Sequence, residues 1–195
     1  MESIFVYGAG GQGRVVVDTM RNARVEFGLT TMIDDNRELH GKQVLGHVVH
    51  GDQAIHRERG FIAIGDNEAR VRIASKFCGR LVTLVHRTAF VGQSVTLGEG
   101  TVLMAGTVVN VGSVIGNNVI VNTGATIDHD CKIGDGAHIA PGCHLCGGVQ
   151  VGEGSLLGVG TLVVPGIRIG RRAFIHAGQT VTSNVPDGAV VRNSR

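Results

Sequence analysis

The chain has 195 residues, enough for one large domain or two small ones with a buried core. Glycine fills 31 positions and the aromatic residues are six Phe, one Tyr and no Trp, while a hydrophobic content of 43% and only three prolines exclude a disordered or collagen-like chain. The formal net charge is +2 and the lysines and arginines are dispersed, which argues against nucleic acid as a partner.

The first residues and the cysteines indicate a cytoplasmic protein. The N-terminus carries an acidic residue at position 2 and glycines from position 8, which fits neither a signal peptide nor a membrane-spanning helix. In the cytoplasm the four cysteines, Cys78, Cys131, Cys143 and Cys146, are expected to be reduced thiols. We therefore expect no membrane insertion and no disulfide framework.

The N-terminal part alternates short apolar runs with amphipathic stretches. The pattern predicts a strand over Ile4–Tyr7, a helix over Gly13–Ala23 and a second strand ending at Ile33. A further strand over Phe61–Ile64 precedes a helix over Asn67–Phe77. This alternation is typical of a small parallel α/β domain, which binds ligands at the carboxyl ends of its strands.

The rest of the chain follows a six-residue repeat. Every sixth residue from Val85 to Val181 is aliphatic, seventeen positions without a slip. The third residue after each of them is Gly in eleven cases, and Asn or Asp at Asn118, Asp130 and Asn184, all residue types that tolerate positive φ. The repeat predicts a hexapeptide β-helix, in which three short strands and three corners form each triangular coil around an aliphatic core.

Two groups of residues carry a resemblance to a known family. The hexads, with units such as Leu97-Gly98 and Ile133-Gly134, resemble the left-handed parallel β-helix of hexapeptide acyltransferases. With the segments at 7–13, 33–35 and 63–68, the chain resembles the bacterial sugar O-acyltransferase group of sialic-acid and pilin-glycan pathways. Within that group it is most similar to the acetyl-CoA-dependent N-acetyltransferases that act on nucleotide-linked 4-amino-4,6-dideoxy sugars.

The resemblance implies a Rossmann-like α/β nucleotide-sugar-binding domain over residues 1–84, a left-handed β-helix acetyltransferase domain over residues 85–195, and a homotrimer. It also implies transfer of an acetyl group from acetyl-CoA to the 4-amino group of a UDP- or dTDP-linked sugar, for bacterial surface glycan synthesis. Two alternatives stay open. One is O-acetylation of sialic acid or another sugar hydroxyl, and the other is a non-catalytic sugar-nucleotide-binding scaffold.

The turn after the first strand satisfies the pattern G-x-G-x-x-G over Gly8–Gly13, and Asp34 lies 21 residues beyond Gly13. Backbone N–H groups at a helix N-terminus suit an anion, and a carboxylate at that distance suits ribose hydroxyls. The domain is too small for the six strands that a dinucleotide usually spans, so a nucleotide diphosphate sugar is favoured over NAD or a purely structural turn. The resemblance assigns nucleotide-sugar contacts to Gly10, Gly11, Gln12, Asp34, Asp35 and Gly65.

His129 is the candidate general base. It is the second residue after Ile127 in its hexad, where a side chain need not enter the core, and a histidine with a near-neutral pKa can take a proton from an attacking amine. The resemblance places the family's base in the same segment. Asp130 would hold the imidazole and raise its basicity, although its corner position is equally explained by turn geometry.

The resemblance places acetyl-CoA against His138, Val159 and Ala177. His138 lies nine residues after His129, half of one coil, so the two side chains point from different sides of the prism. We therefore expect them to meet only across a subunit boundary, as in a trimer.

A zinc site between subunits is the remaining alternative for the β-helix. His138 and His144 are six residues apart and are expected to stack on one face, a spacing that argues against a metal. Cys143-x-x-Cys146 has no second pair of cysteines and is interpreted as a pair of structural thiols. No metal is expected.

Overall fold

The computed structural model describes residues 2–25, 27–51, 59–77 and 80–192, so Cys78 lies outside the described part of the chain. A small α/β domain is followed by a three-faced parallel β-helix. Across the described ranges, the longest helix has 11 residues, and none has the length and apolar character needed to cross a membrane.

Over its described residues, the N-terminal domain has five strands, two α-helices and one short 3-10 helix. The strands are β1 (Glu2–Tyr7), β2 (Phe27–Ile33), β3 (Gln43–Val44), β4 (His47–His50) and β5 (Gly60–Ile62). The helices are α1 (Gly11–Arg21), α2 (Asn67–Ala74) and the 3-10 helix Arg37–Leu39. The strand order is β3-β4-β2-β1-β5, and every neighbouring pair is parallel except β3 with β4.

The predicted parallel α/β pattern is confirmed, with shifted ends. Helix α2 ends at Ala74 rather than at Phe77, and β5 ends at Ile62 rather than at Ile64. The hairpin of β3 and β4 was not predicted. The reason is that β3 has two residues and β4 buries only Val49, so neither strand shows an apolar alternation.

The β-helix has 18 residues per coil and two-residue strands on three faces. Face A consists of Leu84–Val85, Val102–Leu103, Ile120–Val121, His138–Ile139, Leu156–Leu157, Phe174–Ile175 and Val190–Val191. Face B consists of Phe90–Val91, Val108–Val109, Thr126–Ile127, His144–Leu145, Leu162–Val163 and Thr180–Val181. Face C consists of Thr96–Leu97, Val114–Ile115, Lys132–Ile133, Gln150–Val151 and Arg168–Ile169.

Three columns of corners separate these faces. The A/B edge comprises 104–107, 122–125, 140–143, 158–161 and 176–179. The B/C edge comprises 92–95, 110–113, 128–131, 146–149 and 164–167. The C/A edge comprises 98–101, 116–119, 134–137, 152–155 and 170–173.

The corners adopt the backbone conformation that the repeat predicts. All eleven corner glycines have φ between 65° and 75°, and Asn118 and Asp130 also have positive φ. Ser94 and Arg172, which were not predicted, do the same. The expectation for Asn184 is wrong, because its side chain accepts the backbone N–H of Arg168 (2.8 Å) where the last coil departs from the repeat.

The predicted aliphatic stack forms the core of the prism. From Leu103 to Val181 its side chains are almost completely buried. Val85, Val91 and Leu97 are only partly buried, because a neighbouring coil covers them on one side only. A prism of three short strands leaves little room for rings, which accounts for the shortage of aromatic residues.

The N-terminal domain packs on face A. The outward side chains of Leu84, Val102 and Ile120 are buried in one cluster with Val6 and Val16 of the α/β domain. Burial of apolar surface stabilises this contact by about 25 cal/mol per Å². The later strands of face A extend past the covered region, and Phe174 and Val190 are exposed there.

A buried arginine holds the two domains together. Arg70 of α2 is completely buried, and its guanidinium donates to the carbonyl oxygens of Asn118 (2.9 Å) and Gly136 (2.8 Å) on the C/A edge. It also donates to the carbonyl of Ile64 (3.0 Å) and to Oδ1 of Asn67 (2.8 Å) within its own domain. The guanidinium is thus bonded to both domains at once, and fixes how α2 lies on the β-helix.

Candidate active site

The turn between β1 and α1 has the geometry of an anion site. Gly8 has φ of +110°, and a Cβ atom at Gly13 would lie 2.1 Å from the carbonyl oxygen of Gly8, so α1 packs directly on the turn. Gly10 and Gly11 have open space where a side chain would be. A ligand can therefore approach the N–H groups of the first turn of α1, which have no partner within the helix.

The two adjacent carboxylates after β2 have different tasks. Asp34 accepts the backbone N–H of Ala9 with Oδ2 (2.8 Å) and that of Asn36 with Oδ1 (2.8 Å), so it ties the glycine turn to the end of β2. Asp35 is exposed, and the buried Tyr7 hydroxyl donates to its carboxylate. Of the two, Asp35 has its carboxylate more available to a ribose or a base, whereas Asp34 shapes the turn.

Gln12 and Gly65 lie at the same edge of the sheet as the turn. The side-chain Nε2 of Gln12 is buried and has no hydrogen-bond partner among the described residues. An unpaired buried donor costs about 1–3 kcal/mol, and an oxygen of a bound ligand would satisfy it. Gly65 follows β5, the neighbour of β1, and has open space in the direction of a side chain.

His129 and Asp130 form a dyad on the B/C edge. Nδ1 of His129 lies 2.8 Å from Oδ2 of Asp130, and the side chains are 57% and 73% exposed. Asp130 has φ of +60°, which turns its carboxylate back toward the preceding ring. The hydrogen bond to Asp130, and then the nearby Asp128, raise the pKa of His129 above its usual value. The imidazole is therefore oriented and made more basic, as a general base requires.

Sequence analysis missed the residues that support this dyad. Asp128 accepts the backbone N–H of His129 (2.8 Å) and the side-chain amide of Asn110 (2.9 Å) with the same oxygen. These hydrogen bonds, that from Asn110 first, lower the pKa of Asp128, so a second negative charge persists beside the imidazole. Asn110 lies one full coil, 18 residues, before Asp128, and this spacing is the signal that identifies the pair.

His138 lies on face A, half-buried against the N-terminal domain. Its Nε2 is 3.2 Å from the amide nitrogen of Asn122, so Nε2 is the acceptor and Nδ1 carries the proton. Nδ1 is buried without a hydrogen-bond partner in the described part of the chain. Burial first, and then the charge of Arg70, lower the pKa of His138 to about 4, against a smaller opposing effect of the Gly65 backbone. The ring is neutral at physiological pH.

The remaining candidate residues lie on another edge of the prism. Val159 and Ala177 are exposed at the tips of the A/B edge, next to face A and away from His129. The expectation that His138 and His144 share a face is wrong, because His138 pairs within face A and His144 within face B. Six residues are one third of a coil, so such a spacing moves a side chain to the next face.

The cysteines and histidines do not assemble into a metal site where the structure is described. No group of three or more His, Cys, Asp or Glu side chains there is arranged to hold an ion. Cys131 and Cys143 are buried free thiols, and burial raises the pKa of both. They pack in the core as protonated side chains.

The structure thus brings the candidates together in three separate places. The glycine turn, Gln12, Asp34, Asp35 and Gly65 share one edge of the α/β sheet. The His129 dyad lies on the B/C edge, and Val159 and Ala177 lie on the A/B edge. His138, on face A, lies close enough to Gly65 for the Gly65 backbone to affect its pKa.

Comparison with known proteins identifies the family. The profile of the PglD N-terminal domain matches residues 3–77, and that of the bacterial transferase hexapeptide (six repeats) matches residues 112–147. A variant of perosamine N-acetyltransferase from Caulobacter crescentus, in complex with CoA and GDP-perosamine, is 36% identical with a TM-score of 0.89, over 97% of this chain and 93% of that one. The chain belongs to this family of hexapeptide-repeat sugar N-acetyltransferases.

Two further structures show the same two-part family architecture. The acetyltransferase domain of PglB from Neisseria gonorrhoeae, in complex with acetyl coenzyme A, is 33% identical with a TM-score of 0.87, over 97% of this chain and 95% of that one. WeeI from Acinetobacter baumannii is 26% identical with a TM-score of 0.86, over 98% and 97%. A search of curated protein sequences gave no match. The resemblance seen in the sequence is confirmed.

Proposed function

We propose that the protein transfers an acetyl group from acetyl-CoA to the 4-amino group of a nucleotide-linked 4-amino-4,6-dideoxy sugar. The observation that carries the proposal is the oriented, exposed dyad of His129 and Asp130 in a chain that also holds an open anion-binding turn. CoA and GDP-perosamine in the Caulobacter relative, and acetyl coenzyme A in PglB, support both substrates. We propose UDP or dTDP as the nucleotide, with GDP as the alternative that the relative raises.

His129 acts as the general base. Its Nε2 takes a proton as the sugar nitrogen attacks the thioester carbonyl, and a tetrahedral intermediate forms. Collapse of the intermediate breaks the C–S bond, and the proton passes to the departing CoA sulfur, so the products are the amide and free CoA. Asp130 holds the ring through Nδ1 and stabilises the imidazolium. Backbone N–H groups on the B/C edge stabilise the oxyanion.

The nucleotide sugar binds to the N-terminal domain, which we propose spans residues 1–84. Its diphosphate lies at the first turn of α1 beside Gly10 and Gly11, and Gln12 donates its unpaired amide to the ligand. Asp35 accepts from the ribose or the base, Asp34 keeps the turn in place, and Gly65 leaves room at the edge of the sheet.

Acetyl-CoA binds to the β-helix domain, which we propose is left-handed and spans residues 85–195. Val159 and Ala177 offer small, exposed surfaces on the A/B edge along which an extended coenzyme can lie. We propose that His138, which lies on face A next to the same edge, also contacts the coenzyme.

The prism geometry favours a homotrimer. The B/C edge is the corner opposite face A, and face A carries the N-terminal domain, so one chain holds its nucleotide turn and its His129 on opposite sides. If three prisms pack with face B toward a threefold axis, the B/C edge of one copy meets the A/B edge of the next. His129 of one copy then faces the coenzyme edge and the nucleotide domain of its neighbour.

Face B has the composition of such an interface. None of its outward residues is Lys, Arg, Asp or Glu, and Phe90 is 56% and Leu162 38% exposed, whereas face C presents Lys132 and Arg168. Uncharged surface with exposed apolar side chains is typical of contacts between subunits. The six outward residues of face B are Phe90, Val108, Thr126, His144, Leu162 and Thr180.

A direct assay tests the reaction. The purified protein is incubated with acetyl-CoA and UDP-, dTDP- or GDP-linked 4-amino-4,6-dideoxy sugars, thiol release is followed, and the product is identified by mass spectrometry. We expect sugar-dependent thiol release and an amide product, and a fall of about 10²–10⁴-fold in turnover for His129→Gln with an unchanged melting temperature. Thiol release independent of every sugar contradicts the proposed reaction, and near-normal turnover of His129→Gln contradicts the role of that residue.

A further inference from the structure

The imidazole of His129 lies over a glycine of the next coil. A Cβ atom at Gly147 would be 2.5 Å from Nε2 and 2.6 Å from Cε1 of His129, distances that real contacts essentially never show. Gly147 follows His129 by 18 residues, so it occupies the same tip of the B/C edge one coil further on, about 4.8 Å away. The ring thus fills the volume that any other residue at this position would need.

No backbone requirement explains this glycine. Gly147 does not have the positive φ of the corner glycines, which are the residues one position later in each hexad, such as Gly148. At the tip position itself the seventeen hexads carry many residue types, including Val111, His129 and Pro165 on this edge, and glycine only once. The backbone conformation at residue 147 permits a side chain, but the neighbouring imidazole of His129 leaves no space for one.

A second glycine makes room on the other side of the dyad. A Cβ atom at Gly112 would lie 2.5 Å from Oδ1 of Asp130, and Gly112 is one coil before Asp130 on the same edge. Gly112 also has φ of +75°, so its conformation alone accounts for its identity. Of these two glycines, Gly147 is the one whose identity is explained by the close contact alone.

We propose that Gly147 is a positioning residue, whose missing side chain lets the His129 imidazole fold onto the next coil with Nδ1 on Asp130. An alanine there moves the ring and not the backbone, because the atoms in contact belong to the far end of a flexible side chain. The displaced ring loses its hydrogen bond to Asp130, which is the largest contribution to its raised pKa. The part of this inference that concerns turnover rests on the proposed function, whereas ring placement does not.

The test compares Gly147→Ala with the wild type in two measurements. Titration of His129 followed by NMR, without any substrate, should show a lower pKa in the variant. The acid limb of the kcat/KM profile should move to lower pH, because the base is deprotonated earlier, and kcat should fall about 10²-fold from misplacement of the base. The melting temperature should change no more than it does for a typical surface substitution. An unchanged His129 titration overturns the proposal whether or not the assigned reaction is correct.

A double-mutant cycle separates ring placement from obstruction of a ligand. In a His129→Gln background, Gly147→Ala should cause no further loss of the residual activity, because the side chain it displaces no longer acts as a base. An additional loss as large as that in the wild type means that the alanine blocks a substrate, and this result also overturns the proposal.

Discussion

Nδ1 of His129 and Oδ2 of Asp130, two consecutive residues, lie 2.8 Å apart although both side chains are largely exposed. Adjacent side chains meet in this way because Asp130 takes the left-handed backbone conformation, with φ of +60°. The corner therefore has two tasks. It turns the chain from face B to face C, and it places a carboxylate on a candidate base.

Substitution of Asp130 by Asn tests the second task without disturbing the first. Asn adopts positive φ readily, so the corner should persist and the melting temperature should change little. The loss of the carboxylate lowers the pKa of His129 toward its usual value, so the acid limb of the kcat/KM profile moves to lower pH while the maximal rate falls. A pH series of initial rates for both proteins measures this. An acid limb at the wild-type position contradicts the dyad.

The glycine turn offers a matched pair of alanine substitutions. Gly13→Ala places a Cβ atom 2.1 Å from the Gly8 carbonyl, so it should push α1 off the turn and lower both the melting temperature and the affinity for a nucleotide sugar. Gly10→Ala has open space around its Cβ and should leave the melting temperature unchanged. It should still weaken nucleotide-sugar binding in calorimetry, because the methyl group occupies the approach to the helix N-terminus. Equal stability losses in the two variants contradict this account.

Arg70→Met should destabilise the protein strongly. Burial lowers the pKa of Arg70 to about 10, with Asp66 opposing the shift, so the side chain stays charged at neutral pH. Its loss leaves buried carbonyl oxygens, including those of Asn118 and Gly136, without donors, and we expect a fall of about 3 kcal/mol in the free energy of unfolding. Arg72→Met, an exposed residue of the same helix, is the control and should change it by less than about 0.5 kcal/mol. Urea denaturation measures both.

The state of His138 makes stability depend on pH. The pKa of His138 is lowered from 6.5 to about 4, so between these values the unfolded chain binds a proton that the folded protein does not. The free energy of unfolding therefore falls as pH falls through this window. His138→Gln removes that contribution. Over the same pH window, the free energy of unfolding of the variant should therefore fall by up to about 3 kcal/mol less than that of the wild type. Denaturation curves at both ends measure the difference, and parallel losses contradict a buried neutral imidazole.

The trimer proposal predicts different outcomes on two faces of the prism. Leu162→Lys puts a charge on face B and should give monomers with little activity, because each site needs two copies. Val114→Lys makes a similar change on face C and should leave the assembly intact. Size-exclusion chromatography with light scattering distinguishes them.

Co-expression of His129→Gln chains with Gly13→Ala chains should restore up to about a quarter of the wild-type rate. In mixed trimers, about a quarter of the sites combine an intact His129 from one copy with an intact glycine turn from its neighbour.

Most of the β-helix was readable from its periodicity. A strict period of six assigns each residue to the core, the outside or a corner, so the aliphatic stack and the corner conformations followed without knowledge of the fold. The period also determines which residues stack between coils. The contacts of Asn110 with Asp128 and of His129 with Gly147 each join residues 18 positions apart. They were not predicted, because the hexads were compared in chain order and residues one coil apart were not paired.

Local motifs pointed to the glycine turn and to the candidate base, whereas the placement of one domain on the other came only from the tertiary structure. A period determines where a residue lies in its coil, but not which face another domain covers. The burial of His138 and the bonds of Arg70 to two domains depend on that covering, since they join segments that are unrelated in sequence. The same placement puts the glycine turn and His129 on opposite sides of one chain, because face A is the side away from the B/C edge.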